Sequence, residues 1–250
     1  MKRIETLNQK DVSNIKMLVF DVDGVLVPRG TEIREHKNGK LEMKVKKIQK
    51  EEINLIKKLH ERGFKINISS GRNLYVLKDM FYDVLPFVSI TYENGSATWD
   101  KGKIIQHYNS FNQIYEVKKL LREVVDGRIK GFEPKEFIIT IHCTERIREI
   151  ENIVGDYEDL YCLWNGEAYD VGVKRFQTKS MALSSLTEKY NIDMEDVLVI
   201  GDNYNDKNFE STVGLVISAD KSRVDGDFYV GNPGEILMSK LLEVTLSGLE

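Results

Sequence analysis

Cysteine is nearly absent from this sequence, and long apolar runs are absent altogether. Of 250 residues only Cys143 and Cys162 are cysteines. Neither falls in a CxxC or other metal-ligand spacing, which excludes a thiolate zinc site. The two read as buried thiols of a cytoplasmic protein, their pairing in the fold left open. No stretch approaches the roughly 20 consecutive apolar residues of a membrane span. The opening MKRIETLNQKDVSNIK has no apolar run, so it reads as neither signal peptide nor anchor. An excess of positive charge is missing too: 36 Lys and Arg against 40 Asp and Glu leave a net charge of −4. Such a chain has no general attraction to a nucleic-acid backbone. What is present is an ordinary globular composition, 41% hydrophobic and 30% charged, with length enough for one large domain or two modest ones.

Residues 15–20 are a short apolar run that predicts a buried parallel strand. Residues 31–45 partly alternate about Asn38-Gly39, a pair favoured in type I′ turns, and predict a β-hairpin. Ile53, Ile56 and Leu59 recur at helical spacing in a segment that stops at Gly63. FKINISSGR reads as a second buried strand, 73–84 as a helix and 88–92 as a third strand. Strands and helices alternating in this way predict a doubly wound parallel sheet. After Asn94 the rhythm changes: a hairpin at 96–108, an amphipathic helix at 111–126, a strand at 137–143, a helix at 144–154 and strand-like segments near 159–171. The alternation then resumes with a helix at 178–190, strands at 196–202, near 213–217 and at 228–230, and a helix at 234–247. The expected fold class is α/β, a Rossmann-like doubly wound parallel sheet formed by 1–94 and 173–250. A smaller α+β module, 95–172, interrupts it.

In an open parallel sheet, ligands bind beyond the carboxyl ends of the strands. Several predicted strands end there in polar residues: Asp21 and Asp23; Ser69, Ser70, Gly71 and Arg72; and Asp202, Asn205 and Asp206 of GDNYND. If those tips converge, at least three carboxylates meet, and like charges held together favour protonation unless a cation joins them. An all-oxygen set suits Mg²⁺; zinc does not fit, because no His or Cys lies near these tips. An aspartate at such a site can attack phosphorus. A second one, two residues on, can protonate the leaving oxygen and then activate water. Gly24 lets the chain bend between the two roles. Either DVDG or GDNYND alone also reads as a simple turn. Both at strand tips, with SSGR between them and Lys179 before the last, are hard to explain as turns.

In order and spacing, FDVDGV (20–25), ISSGR (68–72), Lys179 in QTKSMAL and GDNYND (201–206) resemble the four motifs of the haloacid dehalogenase superfamily of phosphohydrolases. The resemblance implies Asp21 as nucleophile and Mg²⁺ ligand, and Asp23 as general acid/base with its backbone carbonyl on the metal. It implies Asp202 and Asp206 as further metal residues. Ser70 and Lys179 are implied to bind the transferring phosphoryl group; Gly71 and Asn205 are further binding candidates, and Arg72, directly after the phosphate loop, either binds substrate or pairs with a core carboxylate. The insert, preceded by YENGSA (92–97), resembles the cap of the Cof-type and sugar-phosphatase branch, with Glu93 and Asn94 at its hinge.

Two departures stand out: Val25 occupies a position where many members carry Thr, and a long basic hairpin follows the first motif. That hairpin, bearing Arg29, Arg34, Lys37, Lys40, Lys44, Lys46 and Lys47, resembles the capless keto-deoxy-octulosonate phosphate phosphatases. An anionic substrate, a contact in a homo-oligomer and a merely solvated face are all open readings for it. The resemblance thus implies a Mg²⁺-dependent phosphatase of a small phosphorylated metabolite, such as a phosphosugar or a phosphoglycolate-like ester, acting through an aspartyl-phosphate. The alternatives are a phosphomannomutase-type mutase, an octulosonate-type phosphatase and an inactive binding protein on the same scaffold. The expected partner is the small phosphate ester, with neither nucleic acid nor membrane. In the cap, Trp164, Asn165, Glu167 and His142 read as structural residues more readily than as ligands.

Overall fold

The computed structural model describes residues 1–174 and 178–230; the predicted helix at 234–247 lies outside them. A two-residue strand, β1 (Lys2–Arg3), and a short helix, α1 (Gln9–Val12), precede β2 (Met17–Phe20). Every residue of β2 is buried. Leu18 and Phe20 join one hydrophobic cluster, and Met17 and Val19 join another. Successive strand residues point to opposite faces, and both faces of this strand are covered, which is why the run carries no polar residue. The predicted hairpin follows as β3 (Glu32–Glu35) and β4 (Leu41–Lys44), paired antiparallel across Asn38 and Gly39. Next come α2 (Lys50–Glu61), β5 (Lys65–Ser69), α3 (Leu74–Met80) and β6 (Val88–Tyr92). The apolar stripe Ile53, Ile56 and Leu59 of α2 is buried against the sheet.

The chain then forms β7 (Ala97–Asp100) and β8 (Lys103–Gln106). Sequence reading assigns this hairpin to the insert that starts at 95; the structure corrects that boundary. β7 pairs antiparallel with β6, from Tyr92 opposite Ala97 to Ser89 opposite Asp100, and β8 completes the edge of the core sheet. The cause is local. Residues 93–96 reverse the chain in one tight turn and deliver Ala97 to the open edge of β6, whose backbone groups need partners.

The inserted module proper holds α4 (Phe111–Glu123), β9 (Ile129–Glu133), β10 (Ile139–Cys143), α5 (Arg148–Gly155), β11 (Leu160–Trp164) and β12 (Ala168–Val173). Its strands form a separate antiparallel sheet in the order β11-β12-β10-β9. Ile139, Ile141, Cys143, Tyr169 and Val171 pack with Ile114, Val117 and Leu121 of α4 and Ile150 and Val154 of α5. The alternate residues, Glu133, Thr140, His142 and Asp170, line a cavity shared with the core. Strand β9 goes unpredicted because IKGFE puts a glycine and two charges into five residues.

The core resumes with α6 (Lys179–Tyr190), β13 (Val197–Gly201), β14 (Leu215–Ser218) and β15 (Phe228–Tyr229). Among the described residues the core sheet has nine strands in the order β1-β15-β14-β13-β2-β5-β6-β7-β8, parallel from β1 through β6. Strands β13, β2 and β5 are neighbours, so their carboxyl ends open onto one place. Among the described residues, no helix is long and apolar enough to cross a membrane. Cys143 is buried, Cys162 half-buried, and both are unpaired.

Candidate active site

The turn after β2 separates the roles of its two aspartates. The Asp21 amide donates to the Ile200 carbonyl at 3.0 Å, which keeps Asp21 in the sheet. The chain then coils: the Leu26 and Val27 amides both donate to the Val22 carbonyl at 2.9 Å. Gly24 sits in this coil with φ +85°, a conformation that glycine adopts without strain. A Cβ there would lie 1.6 Å from Asp202 Oδ2, so space as well as conformation demands glycine. Asp21 therefore stays buried at the strand tip while Asp23, with a third of its side chain exposed, faces the cavity.

Three of the four predicted metal residues bring their carboxylates together: Asp21, Asp202 and Asp206 place an oxygen each within 4.8 Å of one another, and all three are buried. The Lys179 ammonium, at the first position of α6, donates to Asp21 Oδ1 and to Asp206 Oδ1, both at 2.7 Å. Asp206 is fixed from the other side, its Oδ2 accepting the Asp202 and Asn203 amides at 3.1 and 3.2 Å. The fourth, Asp23, does not put its carboxylate in the cluster. Arg72 takes both of its oxygens, Nε donating to Oδ2 at 2.7 Å and Nη2 to Oδ1 at 2.6 Å. That leaves Asp23 only a backbone carbonyl for an ion, the role the motif resemblance gave it.

Burial pushes the Asp21 carboxyl well above its ordinary range, with Asp206 and Asp202 adding to the rise, while Lys179 pulls it down. Burial first, then Asp206, raises the Asp202 carboxyl to about 7 against the pull of Arg29. Burial also depresses Lys179, but Asp206 and Asp21 outweigh it and its pKa ends raised, so the ammonium is charged. Three buried carboxylates face two cations, Lys179 and Arg29, and one further cation would complete the balance. Asp202 Oδ1 is buried without a hydrogen-bond partner among the described residues. Hard oxygen donors, surplus negative charge and an orphaned carboxylate oxygen fit Mg²⁺.

The predicted binding residues gather at the same place. Ser70 and Gly71 line the cavity, and Ser70 Oγ accepts the Arg72 amide at 3.2 Å. Asn205 also lines it, its Nδ2 donating to Asn94 Oδ1 at 3.0 Å. Arg29 and Arg223 escape sequence reading. Arg29, counted there only among the hairpin cations, contacts Asp202 Oδ2 through Nε and donates to the Asp202 carbonyl through Nη2 at 2.6 Å. Arg223 lies in a loop of the core that carries no motif. It donates to the carbonyl of Asn165, in the cap, at 2.9 Å.

The turn from β6 to β7 joins cap and core. Glu93, Asn94 and Gly95 all have positive φ, at 48°, 55° and 91°. Only glycine takes such values freely, and Gly95 has a second reason: a Cβ there would sit 2.2 Å from the Thr178 carbonyl. The Glu93 carboxylate accepts amides from the cap loop, those of Phe137 at 2.6 Å, Glu136 at 3.1 Å and Ile138 at 3.2 Å. The basic hairpin also reaches the cap. Glu35 Oε2 accepts the Phe132 amide of β9 at 3.1 Å, and Glu35 Oε1 accepts from Arg122 of α4 at 2.5 Å. Between core and cap lies a cavity of about 270 Å³. His142, Asn165 and Glu167 line it, although sequence reading leaves them out; Trp164 packs against Tyr169 instead, 4.8 Å between ring centroids.

No curated protein matches this sequence. In fold it is similar to a phosphatase of the haloalkanoate superfamily from Bacteroides thetaiotaomicron, at 20% identity and a TM-score of 0.67, over 92% of this chain and 96% of that one. A protein from Streptococcus mutans is similar at 15% identity, TM-score 0.68, over 93% and 99%. One from Thermoplasma acidophilum is similar at 16% identity, TM-score 0.66, over 93% and 96%. At such identities the likeness concerns the fold. The family profile of haloacid dehalogenase-like hydrolases matches residues 18–132 and 129–221, most of the chain and all four motifs. The chain belongs to the haloacid dehalogenase-like hydrolases.

Proposed function

We propose that this hydrolase is a Mg²⁺-dependent phosphatase of a small phosphorylated metabolite, with Asp21 as nucleophile and Asp23 as general acid and base. One observation carries the reading: three buried carboxylates meet around Lys179, with Asp23 held separately at the cavity wall. Asp21, Asp202 and Asp206, with the Asp23 carbonyl, would hold the ion. When bound it would neutralise the phosphoryl oxygens and the carboxylates that face them. Asp21 offers an oxygen to phosphorus, forming an acyl phosphate as the ester oxygen leaves. Asp23 gives that oxygen its proton and afterwards takes one from the water that hydrolyses the acyl phosphate. Lys179 orients Asp21 and, together with the bound ion, would favour its ionised form, and Ser70, which lines the same cavity, would hydrogen-bond the phosphoryl group. Arg72 holds Asp23 by both oxygens, which restricts its rotation and aims it. The cap, clamped by Glu93 and Arg223, keeps bulk water from the acyl phosphate. Unpaired cysteines agree with work in the reducing cytoplasm.

The test is release of inorganic phosphate from p-nitrophenyl phosphate and from sugar monophosphates, with and without Mg²⁺. Asp21→Asn is expected to lower kcat by at least ~10³-fold while circular dichroism and thermal melting stay native. Full turnover in that variant would overturn the assignment. Transfer of phosphate between positions of a sugar, with no inorganic phosphate released, would identify a mutase instead.

A further inference from the structure

The phosphatase reading leaves the leaving group open, and two buried atoms speak to it. Arg72 uses two of its three guanidinium nitrogens on Asp23. The third, Nη1, is buried and has no hydrogen-bond partner among the described residues. Glu133, on β9 of the cap, lines the same cavity. Its Oε2 lies 3.3 Å from Lys135 Nζ and 3.2 Å from His142 Nε2, while its Oε1 is buried and without a partner. Both side chains are only 5% exposed. Buried polar atoms left unpaired are costly and rare. Burial pushes the Glu133 carboxyl up, but Lys135, His142 and Arg72 together hold it down at about 2. Oε1 is thus an ionised acceptor, near a guanidinium with a donor to spare.

One acceptor and one donor on a common cavity select a group that can do both, and a hydroxyl does so through a single oxygen. An alkyl group answers neither, and a carboxylate has no hydrogen for Glu133. We propose, resting on the phosphatase reading, that Arg72 Nη1 and Glu133 Oε1 together bind a substrate hydroxyl on the carbon next to the phosphorylated one. The enzyme would then take monoesters of vicinal diols. Nη1 belongs to the same guanidinium that holds Asp23, and Asp23 would serve the ester oxygen, so the hydroxyl is assigned to the leaving-group side of the phosphoryl group, at the position next to the ester carbon. The remaining wall agrees: among its described lining residues, glycines aside, Ala168 is the one apolar side chain, and there is no Phe, Tyr or Trp.

Three matched esters test this: 2-hydroxyethyl phosphate, ethyl phosphate and phosphoglycolate, assayed with Mg²⁺. The hydroxylated ester is expected to exceed the other two in kcat/KM by at least tenfold. Glu133→Ala is expected to bring the ratio of hydroxyethyl to ethyl phosphate close to one, and Glu133→Gln to an intermediate value. Because the ratio is taken within one preparation, general damage to the fold would not move it. Equal kcat/KM for hydroxyethyl and ethyl phosphate in the wild type, or an unchanged ratio in both variants, would overturn the inference and assign the gap to water. If no ester, p-nitrophenyl phosphate included, releases phosphate, the phosphatase reading fails, but the subsite is still measurable. Calorimetry should find 3-hydroxypropylphosphonate bound at least tenfold more tightly than propylphosphonate, and equal affinities would end the proposal.

Discussion

The Lys179 ammonium stands 2.7 Å from Asp21 and 2.7 Å from Asp206, joining the end of β2 to the loop after β13. All three side chains are nearly inaccessible to solvent. Removing one partner from a buried ion network leaves uncompensated charge, at a cost of about 3–5 kcal/mol. Lys179→Met is expected to lose that much in urea unfolding without metal, and to lose turnover. Added Mg²⁺ should narrow the gap, because a second cation answers the same carboxylates. A variant as stable as the wild type without metal would show that the pair contributes nothing.

Metal dependence and pH are linked through Asp202. Its carboxyl is pushed to about 7 in the folded protein from an ordinary 3.8. A folded-state pKa above the unfolded one means that the native form keeps a proton which the unfolded form has released. Stability without metal therefore falls as pH rises from about 4 to about 7, by at most ~4 kcal/mol from this group. Mg²⁺ binds the ionised form, so the stabilisation it confers should grow across the same window. Thermal melts at pH 5 and pH 7.5, with and without MgCl₂, measure both trends. Asp202→Asn is expected to flatten the pH dependence and to abolish most of the Mg²⁺ shift. A shift equal to the wild type's would place the ion elsewhere.

Glu93 ties the cap loop down by accepting three of its amides. Hydrogen bonds to a charged group contribute about 1.5–3 kcal/mol. Glu93→Gln replaces one accepting oxygen with a donor that faces donors. Amide exchange at 136–138 is expected to quicken by at least ~10-fold, with β2 unchanged. Exchange as slow as in the wild type would show that the loop is held by its apolar contacts alone.

Much of the fold is legible in the sequence because it rests on local signals. MLVF is apolar without a break because β2 is covered on both faces. FIITIHC alternates because β10 turns Ile139 and Ile141 to the cap helices and Thr140 and His142 to the cavity. The strand-tip residues Asp21, Ser70 and Asp202 gather on one side of the core because β13, β2 and β5 are parallel neighbours. What escapes sequence reading has no local signal. The edge hairpin 97–106 looks the same whether it begins an insert or extends a sheet, and only the open side of β6 decides. Arg29 and Arg223 reach the site across long loops, and nothing in their neighbours marks them.

By itself the sequence determined the alternation of strands and helices, the acidic tips and the glycines of the turns, since propensity, periodicity and conformational freedom act within a few residues. Which charges meet was settled only by the tertiary structure. The pairing of Arg72 with Asp23, the sharing of Lys179 and the spare acceptor of Glu133 depend on ångström separations between segments far apart in the chain. Those separations come from how strands pack side by side and where the cap comes to rest, and hydrogen bonds and ion pairs weaken steeply over such distances.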